Sequence, residues 1–224
     1  MTWTQSDVWA AAAMAYRING NRYVKQSYSI SSLSDPDLSQ SVTANKNIVI
    51  NHLTGDSAIG ELTAADRELG EKARATISAE LTYRILRDAP MSSFDQNIIN
   101  ALNIASWEQT DSRNWAIIAS QIRTHFKLIE SKKVARSLSD GHIGQVKDRV
   151  DLKIEVIKST VSHYWNTNYV TAKTESNQLV MFSYKELLSE GTKHSIKGTV
   201  KSLGKHREFG VDLTQLNRVK VLDK

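Results

Sequence analysis

The chain has 224 residues, no cysteine, and 29 lysine and arginine residues against 24 aspartate and glutamate residues. The lack of cysteine excludes disulfides and thiolate zinc sites. The longest apolar run, residues 8–15, is too short to cross a bilayer. No charged segment of the kind that begins a secretory signal precedes it. We therefore expect a cytoplasmic protein with no membrane partner.

Apolar residues recur at helical spacing through residues 1–138, which predicts a helical N-terminal domain. Five helices are predicted, at residues 4–18, 44–53, 62–88, 93–107 and 111–136. Residues 20–43 are polar and serine-rich and contain Asp35-Pro36-Asp37, so they are predicted to form a loop or arm. The helices together can form a small bundle.

Several predicted helices begin with a residue that can cap the first turn. A Ser or Thr side chain can accept a hydrogen bond from the free backbone N–H groups there, and an acidic or amide side chain three residues later can complete a capping box. The candidate caps are Thr4 or Ser6, Thr63 followed by Asp66, and Ser93 followed by Gln96.

Residues 139–224 are predicted to form a second domain made of strands. Apolar and polar residues alternate there, as in Leu152, Ile154 and Val156, which is typical of half-buried strands. Five strands are predicted, at residues 152–161, 168–174, 178–184, 194–201 and 209–222. Residues 185–191, after the third strand, are long enough for one helical turn. This is the layout of an OB-fold barrel, so the whole chain is predicted to be α+β.

The excess positive charge lies in the strand-rich part of the chain. Residues 151–224 carry 12 lysine and arginine residues against 8 acidic ones, whereas residues 1–150 carry 17 against 16. A local excess of cations indicates a polyanion partner. A solvated surface is the alternative explanation.

An OB-fold binds its ligand across strands two and three, between the loops that join strands one to two and four to five. Those loops are predicted at residues 162–167 and 202–208. Rings there can stack on bases, and cations can contact phosphates. The alternative for Trp165 and Phe182 is that their rings fill the barrel. The predicted nucleic-acid-binding residues are Tyr164, Trp165, Tyr169, Lys173, Phe182, Tyr184, Lys185, Lys201, Lys205, Arg207 and Phe209.

No motif in the sequence carries the chemistry of an enzyme. The six histidines form no HxxxH or HxH pair, and the serines form no GxSxG elbow. Glu68 and Glu71 lie beside cations on one predicted helix, which favours solvated ion pairs over a metal site. Residues 198–206 lack the spacing of a phosphate-binding loop and the helix that follows one. We therefore expect no catalysis, no metal and no cofactor.

The stretches GHIGQVKDRVDLKIEVIKS, IKGTVKSLGKH and TQLNRVKV resemble a C-terminal OB module that is common in bacteriophage proteins. The resemblance is closest over residues 141–222. It departs from the module at Lys147, where glycine is usual, and at the inserted pair Leu203-Gly204. It implies a role in phage DNA replication or recombination, in the host cytoplasm, by binding single-stranded DNA. Phage replication proteins are further candidate partners.

Two other functions are open at the level of sequence. The chain can be an adaptor or assembly protein, whose helical domain binds a replication or host protein while the barrel docks on protein. RNA is a weaker candidate ligand than DNA, because stacking surfaces do not distinguish the two without contacts to the 2′-hydroxyl. The sequence does not indicate an oligomeric state.

Overall fold

The computed structural model describes residues 2–31, 39–55, 60–108 and 112–222. Five helices occupy the first part of the chain and a five-stranded barrel the last part, which confirms the α+β prediction. The chain divides into two compact units, residues 1–128 and 129–224. The boundary predicted after residue 138 stays a prediction. Among the described residues, no helix is both long and apolar enough to span a membrane.

The helices lie close to their predicted positions. The structure begins and ends them at α1 Gln5–Ile18, α2 Asn45–Thr54, α3 Ala64–Leu86, α4 Ser93–Leu102 and α5 Ser112–Arg136. The predicted Asp35-Pro36-Asp37 turn and the predicted start of the fifth helix at Asp111 lie outside the described residues. Helix α4 ends five residues before the predicted Trp107. The backbone of that residue instead exchanges two hydrogen bonds with Trp3.

Thr63 caps α3 with the predicted capping box to Asp66. Thr4, one of the two predicted candidates, caps α1, and Asp7 completes a capping box there that was not predicted. The predicted box of α4 is wrong by one residue. Ser92 caps this helix: its Oγ accepts a hydrogen bond from the Asp95 backbone N, and the Asp95 carboxylate accepts one from the Ser92 backbone N at 2.8 Å. A short aspartate side chain therefore closes the box where glutamine was predicted to do so.

Helix α1 is the centre of the helical unit. Nine consecutive residues from Val8 to Tyr16 are buried, as expected for a helix surrounded by its neighbours on all sides. Helix α3 approaches α1 closely at Gly70, where an added Cβ would lie 2.7 Å from the Trp9 carbonyl carbon. The arm predicted at residues 20–43 contains an antiparallel pair of short strands, β1 Tyr28–Ser31 and β2 Ser39–Val42.

The second unit contains a closed barrel of five strands. They are β3 Arg149–Ser162, β4 Thr167–Thr174, β5 Leu179–Tyr184, β6 Lys193–Lys205 and β7 Asp212–Val221. Their order around the barrel is β3-β4-β5-β7-β6, and only β5 and β7 pair in parallel. This arrangement is consistent with an OB-fold. Residues 185–191 form bends and a turn rather than the predicted helical turn.

Two strand boundaries differ from the prediction in a way that changes the site. Strand β6 continues four residues beyond Lys201, because Ser202 to Lys205 still pair with Gln215 to Asp212 of β7. Strand β7 begins at Asp212 rather than at residue 209. The connection between them is therefore the loop 206–211, which replaces the predicted loop 202–208.

The interior of the barrel is filled mainly by inward-facing side chains of the five strands, with Leu188 added from residues 185–191. The buried core residues are Ile154, Val156, Val170, Ala172, Val180, Phe182, Leu188, Ile196, Val200 and Leu216. A β-bulge at Ile157 shifts the pairing of β3 with β4, so that Lys158 is paired with Thr171. Lys158 therefore lies on the outer side of the barrel, although the alternation that begins at Leu152 would direct it inward.

Candidate nucleic-acid interface

The turn 163–166, which joins β3 to β4, presents two aromatic rings to solvent. The Tyr164 side chain is 85% exposed and the Trp165 side chain is 67% exposed. Their rings meet edge to face with centroids 4.7 Å apart. Asn166 closes the turn with φ +46°, a left-handed conformation that asparagine tolerates. A turn this short offers no core for either ring, so both remain accessible.

Tyr169 adds a third ring on the outer side of β4. It is 41% exposed, whereas its neighbour Val170 is fully buried in the barrel. Its partners on the two adjacent strands are Thr160 and Ser183. Small side chains on both sides leave the faces of the tyrosine ring uncovered. We call Tyr164, Trp165 and Tyr169 the rim rings.

Phe182 does not lie on the outer face, which corrects the prediction that it stacks on bases. It is 3% exposed and pairs in register with Val170, and both side chains point into the barrel. Tyr184 lies on the same side of β5 and packs partly against this core. The alternative explanation from the sequence therefore applies to Phe182, whereas Trp165 fills no part of the barrel.

On strands β4 and β5 the outer side is most accessible near the turn 163–166. Thr171, Leu179 and Leu213 lie on the outer side of their strands, yet all three are buried. The most accessible part of β4 and β5 is therefore the end that carries Tyr169 and Ser183. The predicted binding face is smaller in the structure than the full width of strands two and three.

The loop 206–211 is held in a compact conformation by its own contacts. The His206 and Phe209 rings stack with centroids 4.5 Å apart, and the backbone N of Phe209 donates a hydrogen bond to His206 Nδ1 at 3.2 Å. Burial of the imidazole lowers the pKa of His206 and favours its neutral form. One face of the Phe209 ring is occupied by His206, so at most its other face is available to a base.

Two charged residues that sequence reasoning missed lie at this loop. The Glu208 carboxylate accepts a hydrogen bond from Ser131 Oγ at 2.6 Å and lies 3.6 Å from Lys158 Nζ. The hydrogen bond from Ser131 and the nearby Lys158 lower the pKa of Glu208, so it is ionised at neutral pH. The run Val156-Ile157, which breaks the alternation of β3, is the sequence signal that could have placed Lys158 on the outer side.

The cationic residues predicted to bind phosphates lie in different parts of the barrel unit. Lys205 and Arg207 lie together at the end of β6 and in the loop 206–211, are exposed, and form no ion pair with any residue that the structure describes. Lys185 is exposed just beyond the end of β5. Lys201 is the extra residue of a β-bulge in β6.

Lys173 is the predicted cation that is least available to a phosphate. Its Nζ lies 3.5 Å from Glu155, and the lysine lines an outer cleft of about 430 Å³. Lys153 in the same cleft lies 3.5 Å from Glu175. Because these charges pair with one another, the cleft adds little positive charge to the interface.

The chain matches no protein-family model, no curated protein and no solved structure in comparisons with known proteins. Among residues 2–31, 39–55, 60–108 and 112–222, no three His, Asp or Glu side chains converge as metal ligands would. The residues that remain for a nucleic-acid interface are the rim rings, Lys205 and Arg207.

Proposed function

We propose that the barrel binds single-stranded DNA without catalysis, by stacking bases on the rim rings and neutralising phosphates at the loop 206–211. The observation that carries this proposal is the exposure of Tyr164 and Trp165 on a short turn beside Tyr169. Large rings held in solvent do not contribute to a core, whereas unpaired bases stack on such rings whatever their sequence. No cofactor is required for this activity.

The charges support the same ligand. Lys205 and Arg207 are exposed on either side of His206, which stacks on Phe209 and so holds the loop in shape. A preformed loop can present Arg207 to a phosphate without first losing conformational freedom. The strand-rich part of the chain also carries most of the excess charge. A role in phage DNA replication or recombination, in the host cytoplasm, follows only from the resemblance of residues 141–222 to phage OB modules.

The second candidate function is that of an adaptor that binds a replication or host protein. It is favoured by four exposed apolar side chains, Tyr83, Ile85 and Leu86 at the end of α3 and Phe94 in the first turn of α4. Exposed apolar surface is frequent at protein-binding sites. An adaptor needs neither the rim rings nor affinity for oligonucleotides, so the two functions make opposite predictions for substitutions in the turn 163–166.

The test compares Trp165→Ala with Phe182→Ala. Stacking of one base on a ring contributes roughly 1–3 kcal/mol, so we expect Trp165→Ala to lose about tenfold or more in affinity for a labelled single strand. Its melting temperature should stay close to that of the parent protein. Phe182→Ala removes a core ring and should lower the free energy of unfolding by about 3–5 kcal/mol. Fluorescence anisotropy measures the affinity, and thermal unfolding measures the stability.

A parent protein that binds no single strand at low salt contradicts the proposal and favours the adaptor. Unchanged affinity in Trp165→Ala would show that the bases bind elsewhere. Tighter binding of RNA than of DNA of the same sequence would show that RNA is the ligand and would leave the proposed interface unchanged. Quenching of tryptophan fluorescence by added DNA in the parent protein, and its loss in Trp165→Ala, gives an independent signal from the ring itself.

A further inference from the structure

A second basic surface lies where β3, β6 and β7 are neighbours. Lys197 on β6 pairs in register with Lys220 on β7, and both side chains lie on the outer side, since the adjacent pair Ile196 and Val221 packs inward. Like charges directly opposite each other destabilise a sheet. Of the two lysines, only Lys197 has an ion-pair partner among the residues that the structure describes. Its Nζ lies 2.9 Å from an Asp151 carboxylate oxygen. This arrangement does not serve the stability of the barrel.

Arg218 on the same surface is held in a conformation that costs energy. It has φ +51° within β7, at the point where the pairing with β6 shifts between Lys197 and Thr199. Glycine is the usual residue at a left-handed position of a bulge. The bulge lets Val219 pack against Gly198 in the core and leaves Arg218 exposed. A strained arginine on an outer surface points to a use for its charge.

Lys147 is a second cation with a left-handed backbone next to this surface. Its φ is +83°, and its backbone N donates a hydrogen bond to the Val200 carbonyl oxygen at 2.9 Å. A left-handed backbone favours glycine, so a lysine here adds a charge where a smaller residue would be less strained. We call Lys147, Lys197, Lys201, Arg218 and Lys220 the basic surface.

Strand β6 connects the basic surface to the loop 206–211. Lysines recur along it at every fourth position, as Lys193, Lys197, Lys201 and Lys205, and Arg207 follows in the loop. The bulge at Lys201 leaves that side chain exposed and reverses the alternation beyond it. Gly204 pairs with the outward Leu213, so Lys205 lies on the other side of the strand from Lys197. Lys201 is therefore the exposed cation of β6 between the basic surface and the strand end that carries Lys205 and Arg207.

We propose that a single strand longer than the interface leaves it at the loop 206–211 and follows β6 onto the basic surface. Its phosphates contact Lys201, Arg218 and Lys220 there. The proposal rests on the function proposed above and extends its binding site. The outward-facing residues of β6 and β7 on this surface include no aromatic ring, so the contacts are independent of base identity. This path favours a continuing single strand over a duplex, because the path begins at the interface that is proposed to bind unpaired bases.

The test uses the full chain and two oligothymidylates, one of about 6 and one of about 16 nucleotides, near the limits of site size for an OB-fold. The variant is Lys201→Gln with Lys220→Gln, neither of which has a described ion-pair partner. The control is Lys25→Gln with Lys127→Gln, which removes the same charge from exposed positions of the helical unit. Thermal unfolding verifies that both variants are folded.

We expect the short oligomer to bind the variant as it binds the parent protein. The long oligomer should lose affinity on the order of tenfold at low salt, and its slope of log K against log salt should become shallower by about 1.4, for two lost phosphate contacts on a single strand. The control variant should show neither change.

Three results would overturn the proposal while leaving the proposed function intact. They are equal affinity of the parent protein for the two lengths, an unchanged salt slope for the long oligomer in the variant, and an equal loss of affinity for both oligomers in the variant. Failure of the parent protein to bind either oligomer would instead contradict the proposed function, and this proposal with it.

Discussion

At the scale of single residues, Glu208 determines how much positive charge the loop 206–211 offers to a strand. Its carboxylate lies between Arg207 and Phe209 in sequence, is fixed by Ser131, and lies 3.6 Å from Lys158 Nζ. An ionised carboxylate there repels phosphate and partly neutralises a lysine on the outer side of β3. In the proposed interface it therefore limits affinity.

Replacing Glu208 with glutamine should strengthen the binding of single strands. The amide keeps the shape of the side chain but removes the charge, so Lys158 becomes free to contact a phosphate. One added contact steepens the slope of log K against log salt by about 0.7. Salt-dependent anisotropy measures this, with Glu190→Gln as the control, an exposed carboxylate before β6. Weaker binding, or an unchanged slope, would show that Glu208 does not face the strand.

Some residues of the site could be placed from the sequence and others could not. The exposure of Trp165 was predictable, because a short polar turn contains nothing against which an indole can pack. The burial of Phe182 was not, because both faces of β5 are apolar: Leu179 and Met181 alternate with Val180 and Phe182. Alternation then shows which residues share a face but not which face is inward. The ion pair of Lys158 with Glu208 depends on a bulge and on tertiary contact.

At the scale of elements, α1 and α3 approach each other closely. Gly70 lies against the backbone of Trp9, where a Cβ would lie 2.7 Å from both the carbonyl carbon and the carbonyl oxygen. These are main-chain atoms in the buried part of α1, so they have little freedom to move. Gly70 is required by this contact rather than by its own backbone conformation.

Gly70→Ala should therefore destabilise the protein. Helix propensity alone favours alanine by about 1 kcal/mol, but forcing the two helices apart typically costs about 1–3 kcal/mol and loosens packing around Trp9. We expect a lower urea midpoint in unfolding followed by far-ultraviolet circular dichroism. Gly204→Ala is the control, since its Cβ meets no atom within 4 Å. A midpoint that rises in Gly70→Ala would show that the helices separate without cost.

The local sequence pattern predicts the helices and strands well, but it does not predict the residues at which they begin and end. The spacing of apolar residues places all five helices and all five barrel strands. The extension of β6 to Lys205 depends on continued pairing with β7, which no local pattern encodes. The cap of α4 was not predictable either, because Ser92 and Ser93 can both cap a helix. The Asp95 side chain bonds to Ser92, and this selects Ser92 as the cap.

For the whole molecule, we propose that one unit carries the binding activity. The barrel unit holds the rim rings, Lys205, Arg207 and the basic surface, and it lies in the part of the chain with the charge excess. Rings and cations in one unit are the combination that single strands require and that duplexes, whose bases are already stacked, do not. Preference for a single strand is therefore the property that the proposed function predicts most directly.

The measurement that tests this claim is a salt titration of the full chain with a labelled single strand and with a duplex of the same sequence. We expect tighter binding of the single strand at every salt concentration, with log K falling linearly as log salt rises, by about 0.7 for each phosphate contacted. The preference should disappear when all three rim rings are replaced by alanine. Equal or tighter binding of the duplex by the parent protein, or no binding of either DNA at low salt, would contradict the proposal that the barrel binds single-stranded DNA.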